Sequence, residues 1–208
     1  MKNPAKVLAI VLMLSVTSLV GEDWPGIYGP RRDHTSQQKR LLRTWPEKGL
    51  NVLWTVPTDA GFGGPAVSGG NVYLLDRDEA VGDKLRVLDV GSGKELWTCA
   101  YNAPGRFMLA GSRTTPMVDG GHVYTVGPMG DLHAISIKTR KPAWTKNIWK
   151  DFGGGAEMPR WGIVQNPLIY GELLIVAPQP PEVGVVAYER VRESSNGSLR
   201  LCPALPDM

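Results

Sequence analysis

The sequence predicts an all-β chain, an incomplete β-propeller of about three four-stranded antiparallel blades. Three observations predict it. A proline-led hairpin pattern recurs with its prolines at 65, 116 and 167, a spacing of 51 residues each time. A second hairpin, closed by a tryptophan, follows two of those prolines, over residues 85–97 and 132–144. The 208 residues also include 25 glycines and 17 prolines, a turn-rich composition. A lone hairpin cannot bury an indole, so repetition implies neighbouring units that stack and cover each other's tryptophans.

The chain opens with Lys2 and Lys6 ahead of an apolar run over residues 7–20, interrupted only by Ser15, Thr17 and Ser18. A basic start before a short apolar stretch is the pattern of a secretory signal peptide, assigned here to residues 1–21 with Gly21 as the last residue before cleavage. The run is short for a membrane span, which needs about 20 residues. The mature form is therefore expected to carry no stable span and to be exported, periplasmic or extracellular. No cysteine follows the run, so a lipid-anchored mature terminus is not expected.

Residues 22–49 read as an N-terminal loop segment. Trp24-Pro25-Gly26 and Gly29-Pro30 punctuate it against helix. Residues 37–43 are expected to make a short helical turn and residues 45–49 another turn. Residues 50–56, with Trp54 inside, read as the first strand.

Residues 50–188 form the repeat region. Gly64-Pro65-Ala66-Val67 through Tyr73 matches Thr115-Pro116-Met117-Val118 through Tyr124, and more weakly Asn166-Pro167-Leu168-Ile169 through Ile175. Each copy supplies a proline compatible with a strand edge, a short apolar strand, a glycine-containing turn and a second apolar strand. With the tryptophan-ended hairpin that makes four strands, the content of one propeller blade. An indole covers much apolar area and keeps one N–H donor, which suits it to the wedge between radially packed sheets. Trp54, Trp97 and Trp144 are read as that cement rather than as a binding surface.

The third copy breaks. Ala187 aligns with Val87 and Ala134, so a tryptophan is expected at 197, where Gly197 stands. Residues 189–208 are a divergent tail, read here as the product of a reading-frame slip or truncated gene near 189, with a divergent last strand as the alternative. Propellers close with four to eight blades, so the arc is expected to be part of a longer propeller or to be completed by another chain.

The charge excludes some partners. There are 23 basic and 20 acidic residues, and loss of Lys2 and Lys6 leaves a net charge of +1. That gives no electrostatic ground for nucleic acid or an anionic membrane. Cys99 and Cys202 have no framework around them, and Cys99 reads as a small core residue. His34, His122 and His133 lack metal-ligand spacing, and the last two are expected at half-exposed strand positions. Asp76-Arg77-Asp78-Glu79 reads as a solvated turn. Gly153-Gly154-Gly155 lacks the strand-to-helix context of a phosphate cradle and reads as an inter-blade loop.

Val87, Asp89, Gly93 and Trp97 follow one another as a small residue, an acid, a turn glycine and a terminal indole. Ala134 and Trp144 repeat the pattern in part, with Ser136 for the acid and Arg140 for the glycine. On these residues the chain resembles the exported quinoprotein-like (PQQ-like) β-propeller repeat family, as a partial member. Trp24-Pro25 with Gly29-Pro30-Arg31-Arg32-Asp33, and Trp161-Gly162 with Asn166-Pro167-Leu168, are similar to its N-terminal and blade-start signatures. The resemblance covers residues 23–188 and implies a quinoprotein alcohol dehydrogenase-like fold. Family members include dehydrogenases and an outer-membrane assembly scaffold, so fold alone does not decide function.

For a dehydrogenase the resemblance implies a quinone on the propeller axis, a calcium ion, an aspartate base and a pair of adjacent cysteines. That cysteine pair is missing here. Polar candidates near the blade starts are Arg113, Glu157, Arg160, Trp161 and Asn166. Arg113 could bind a carboxylate, though a solvated loop charge is the simpler reading. Glu157 has no evident partner as a calcium ligand, and calcium takes about six to eight oxygens. No catalytic, cofactor-binding or metal-binding residue is assigned, and no cofactor is expected. The expected function is a non-catalytic exported scaffold with a protein partner, envelope-related. The alternative is a PQQ-dependent dehydrogenase or a degenerate fragment of one.

Overall fold

The computed structural model describes residues 21–39 and 41–190. They form strands, turns and irregular connections, with no helix among the described residues. The expected signal peptide, the divergent tail beyond Arg190 and Cys202 lie outside them.

Blade one is an antiparallel sheet of β1 (Ala66–Ser68), β2 (Asn71–Asp78), β3 (Gly82–Asp89) and β4 (Glu95–Asn102), in that order. Blade two repeats it with β5 (Met117–Asp119), β6 (His122–Val126), β7 (Asp131–Ser136) and β8 (Lys141–Asn147). Blade three has β9 (Leu168–Tyr170), β10 (Leu173–Val176) and β11 (Val186–Glu189), three strands in the described residues. Each first strand begins one residue after a repeat proline, where the missing N–H costs no ladder bond.

Register repeats as closely as sequence does. Val87 lies opposite Tyr73 on one side and Trp97 on the other; Ala134 lies opposite Tyr124 and Trp144; Ala187 lies opposite Ile175. The register shifts between Val87 and Leu88, and at the same place between Ala134 and Ile135. Such a bulge sharpens local twist just before each tryptophan.

The blades pack face to face. One core joins Ala66, Tyr73, Leu85, Val87 and Cys99 of blade one to Val123 and Ile135 of blade two, with Trp97 against it. A second joins Met117, Tyr124, Val126, Leu132 and Ala134 to Ile169, Leu174, Val176, Val186 and Tyr188 of blade three. Trp144 sits there between Tyr124 and Tyr188, with ring centroids 6.4 Å from each. Both indoles plug the wedge towards the following blade, as cement, and Cys99 is a buried free thiol in the core.

The N-terminal segment straps the inner strands. Trp24 and Val67 exchange backbone hydrogen bonds at 2.7 and 2.8 Å, and the Val118 N–H donates to the Pro25 carbonyl at 2.7 Å.

Several expectations are corrected. Residues 37–39 and 41–43 form no helical turn; the Glu22 carboxylate accepts from the Ser36 hydroxyl and the Gln37 N–H instead, so a side chain competes with helical bonding. Residues 50–56 are not a strand, because no neighbour offers their backbone a ladder. Trp54 nevertheless docks: its indole N–H donates to the Val90 carbonyl at 3.0 Å, over Gly93. Asp76 and Arg77 are buried members of β2, not a solvated turn. His122 and His133 are 4% and 6% exposed rather than half-exposed, because the middle blade is covered on both faces.

Candidate interaction surface

The connections that lead into the inner strands are fastened to one another. Gly61 bridges Ser112, and the Phe62 N–H donates to the Ser112 carbonyl at 2.8 Å. The Gly64 N–H donates to Thr115 Oγ1 at 3.0 Å, and the Thr115 N–H to Asn166 Oδ1 at 2.7 Å. The chain passes so closely at Gly63 that a Cβ there would lie 2.2 Å from the Thr114 carbonyl oxygen. A rigid base is thereby built for the loops preceding β1, β5 and β9.

Arg113 is the hub of those loops. Its guanidinium lies 5.2 Å from the Phe62 ring centre and 5.6 Å from that of Phe107. Its Nε–H donates to the Trp161 carbonyl at 3.2 Å, Nη1 to the Ala110 carbonyl at 3.4 Å and Nη2 to the Leu109 carbonyl. Desolvation draws its pKa below the ordinary arginine value. The expected solvated loop charge is thus a packed one. Arg160 stacks at 5.4 Å on Trp161 and reaches Met108 Sδ at 2.9 Å. Such arginine–aromatic stacks are worth about 0.5–1 kcal/mol each at exposed sites.

Around these cations, Phe62 and Met108 are each 62% exposed, Trp161 44% and Leu109 43%. Neither Arg113 nor Arg160 has a carboxylate within ion-pair distance among the described residues. Aromatic side chains, Met and Arg on rigid loops are the composition enriched at protein interfaces. Of the residues singled out from sequence, Arg113, Arg160, Trp161 and Asn166 come together here, while Glu157 is exposed. Phe62 and Met108 were missed; their spacing before the repeat prolines carries no periodic signal.

A second polar region lies between the outer halves of blades one and two. Arg77 Nη1 pairs with Asp83 Oδ2 at 2.9 Å, and both side chains are wholly buried. Arg77 Nη2 also donates to the Ala103 and Gly105 carbonyls. Asp83 Oδ1 and Arg77 Nε have no hydrogen-bond partner. Burial pushes the Asp83 pKa up to about 6 despite Arg77. Tyr101 stacks on His133 with ring centroids 3.7 Å apart, and burial alone holds His133 down at about 4. A signal for this burial was in the sequence: Tyr73, Leu75 and Arg77 alternate on one face of a strand, as do Asp83, Leu85 and Val87.

Arg113 is committed to rings and carbonyls, and no group of three or more His, Cys, Asp or Glu side chains is placed to hold a metal among the described residues. No helix there is long and apolar enough to cross a membrane.

The geometry defines a class: an all-β propeller whose blades are locked by docked tryptophans. More particularly, the chain belongs to the PQQ-like repeat family described as outer membrane protein assembly factor BamB, whose pattern matches residues 35–199. The outer membrane protein assembly factor BamB of Marinobacter adhaerens is 25% identical over 93 residues, covering 45% of this chain and 19% of that protein. The quinohemoprotein alcohol dehydrogenase of Comamonas testosteroni superposes with a TM-score of 0.54 at 18% identity, over 81% of this chain and 25% of that one. At that identity the likeness shows the fold alone. BamB from Moraxella catarrhalis matches with a TM-score of 0.45 at 20% identity, over 60% of this chain and 36% of that one. The chain thus spans far less than two thirds of each relative's length.

Proposed function

We propose that this chain is a non-catalytic, exported propeller that serves as an interaction scaffold in envelope protein assembly. It binds a partner protein through the loops preceding β1, β5 and β9. The observation that carries the reading is the exposed set Phe62, Met108 and Trp161 around two guanidinium groups that form no ion pair among the described residues. Family membership supports the envelope setting. The chemistry suits a partner segment that offers an apolar side chain beside an aspartate or glutamate, whose carboxylate the exposed Arg160 guanidinium can take.

The test is comparative. The exported protein is cross-linked in envelope extracts beside a Trp161→Ala, Arg160→Glu double variant, and captured proteins are identified by mass. One partner enriched by the parent and lost at least about tenfold by the variant supports the proposal. Equal capture by both overturns it. Purified protein mixed with quinone and calcium is expected to show neither cofactor absorbance nor dye reduction with an alcohol; a robust signal would favour the dehydrogenase reading.

A further inference from the structure

Between the outer halves of blades one and two lies a cleft of about 380 Å³, a size that suits a small ligand. It opens where β4 ends, at Asn102 and Pro104, against the start of β7 at Asp131 and the loop that leaves β8. Met129, Trp149, Ala156 and Met158 give it an apolar lining. A neighbouring cleft of about 440 Å³ shares Asn102, Asp131 and Asn147 with it and reaches Tyr101 and His133. Asp131 thus stands on the wall common to both.

The apolar wall is fixed before anything arrives. The Trp149 indole N–H donates to the Gly155 carbonyl at 2.9 Å. Gly154 lies so close to the ring that a Cβ there would be 2.3 Å from it. Two glycines of the Gly153-Gly154-Gly155 run thereby hold the indole in place. Trp149 is 7% exposed, and Met158 packs against the same core. A wall already ordered loses little conformational freedom when a ligand binds.

Asp131 supplies the charge. Its Oδ1 accepts from Asn147 Nδ2 at 3.1 Å, and the same amide donates to the Met129 carbonyl at 3.0 Å, which fixes the carboxylate's orientation. Oδ2 accepts no hydrogen bond among the described residues, and Asp131 forms no ion pair among them. The buried cation of this region, Arg77, is taken by Asp83 and by the Ala103 and Gly105 carbonyls. Lys150 also lines the cleft, but it is exposed and beyond ion-pair distance. Desolvation pushes the Asp131 pKa up, so its charged form gains from any cation brought beside it.

We propose that this cleft binds a small primary amine, with its ammonium on Asp131 and its apolar body against Met129, Trp149 and Met158. The ammonium donates to the open Oδ2, a charge-assisted bond that an uncharged analogue cannot match. The body covers a wall that is otherwise wetted. This cleft shares no residue with the loop surface around Arg113, so the proposal stands or falls apart from the scaffold reading.

The test titrates phenethylamine into the full chain by isothermal calorimetry. Saturable binding is expected, with a dissociation constant of about 1 mM or tighter. Phenethyl alcohol keeps the body without the charge and is expected to bind at least about tenfold more weakly. Asp131→Asn keeps an acceptor for Asn147 and is expected to lose at least about tenfold in affinity, with an unchanged circular dichroism spectrum. Ala156→Trp puts bulk into the cleft from an exposed position, so it is expected to fold like the parent and to abolish binding. That variant decides the matter if Asp131→Asn does not fold. Absence of saturable heat overturns the proposal. So does equal affinity for the alcohol, or an affinity left unchanged by either folded variant.

Discussion

The backbone N–H of Thr115 donates to Oδ1 of Asn166, 51 residues later, at 2.7 Å, and the Gly64 N–H makes the same link to Thr115 at 3.0 Å. The residue before each repeat proline thus grips its counterpart in the next blade. Thr115 is 4% exposed, so its N–H has little recourse to water. Asn166→Ala is expected to cost about 1–3 kcal/mol of unfolding free energy, the penalty of an orphaned buried donor. Asn166→Asp keeps the acceptor oxygen and is expected to recover most of it. Urea denaturation measures both.

The buried pair Arg77–Asp83 makes a sharper prediction. Arg77→Met leaves Asp83 uncompensated and is expected to destabilise by about 3–5 kcal/mol. The double variant Arg77→Met, Asp83→Leu removes both charges and is expected to regain much of that loss. A double variant as unstable as the single would show that the cost lies in packing.

Acid has two opposing effects in the same region. Asp83, raised to about 6 by burial, keeps a proton that the unfolded chain releases near 3.8, so its contribution to stability falls as pH rises through 6. His133, lowered from 6.5 to about 4, stays neutral while the unfolded chain takes a proton, so stability is lost as pH falls from 6.5 towards 4. His133→Phe preserves a ring against Tyr101 and removes the second effect. Relative to the parent, this variant is expected to gain up to about 3 kcal/mol between pH 6.5 and 4. Urea midpoints compared across that window measure the gain; a constant difference would contradict it.

Gly93 has φ +70, and a Cβ there would lie 2.6 Å from the Trp54 ring. Gly93→Ala is expected to lift the indole from its seat, at a cost of about 1–3 kcal/mol, with a red shift of tryptophan emission. Arg140 occupies the equivalent turn at φ +59. Arg140→Gly is therefore expected to stabilise by about 1 kcal/mol, because it relieves a left-handed conformation.

What was legible in the sequence was whatever repeats. Pro65, Pro116 and Pro167 each stand one residue ahead of an inner strand, and Trp97 and Trp144 each lie in an outer one. The tryptophan role was readable because a small residue, a turn and an indole must keep their spacing to meet. Features decided by a neighbour were hidden. Residues 50–56 have strand chemistry but no ladder beside them. His122 and His133 alternate like half-exposed positions, and only the blades on either side bury them. Arg77 looked like one charge among four, although its place two residues after Leu75 put it on the core face. The loop surface was half legible: Arg113, Arg160 and Trp161 stood out by residue type, but nothing local says that Phe62 lies under Arg113.

The strap formed by Trp24 and Pro25 has a mechanical consequence. It binds Val67 of one blade and Val118 of the next through consecutive residues. A pull on the amino-terminal end would load both inner strands together, in shear, instead of peeling one sheet from its edge. Tension arriving there would meet two rows of resistance at the hub before either sheet could open.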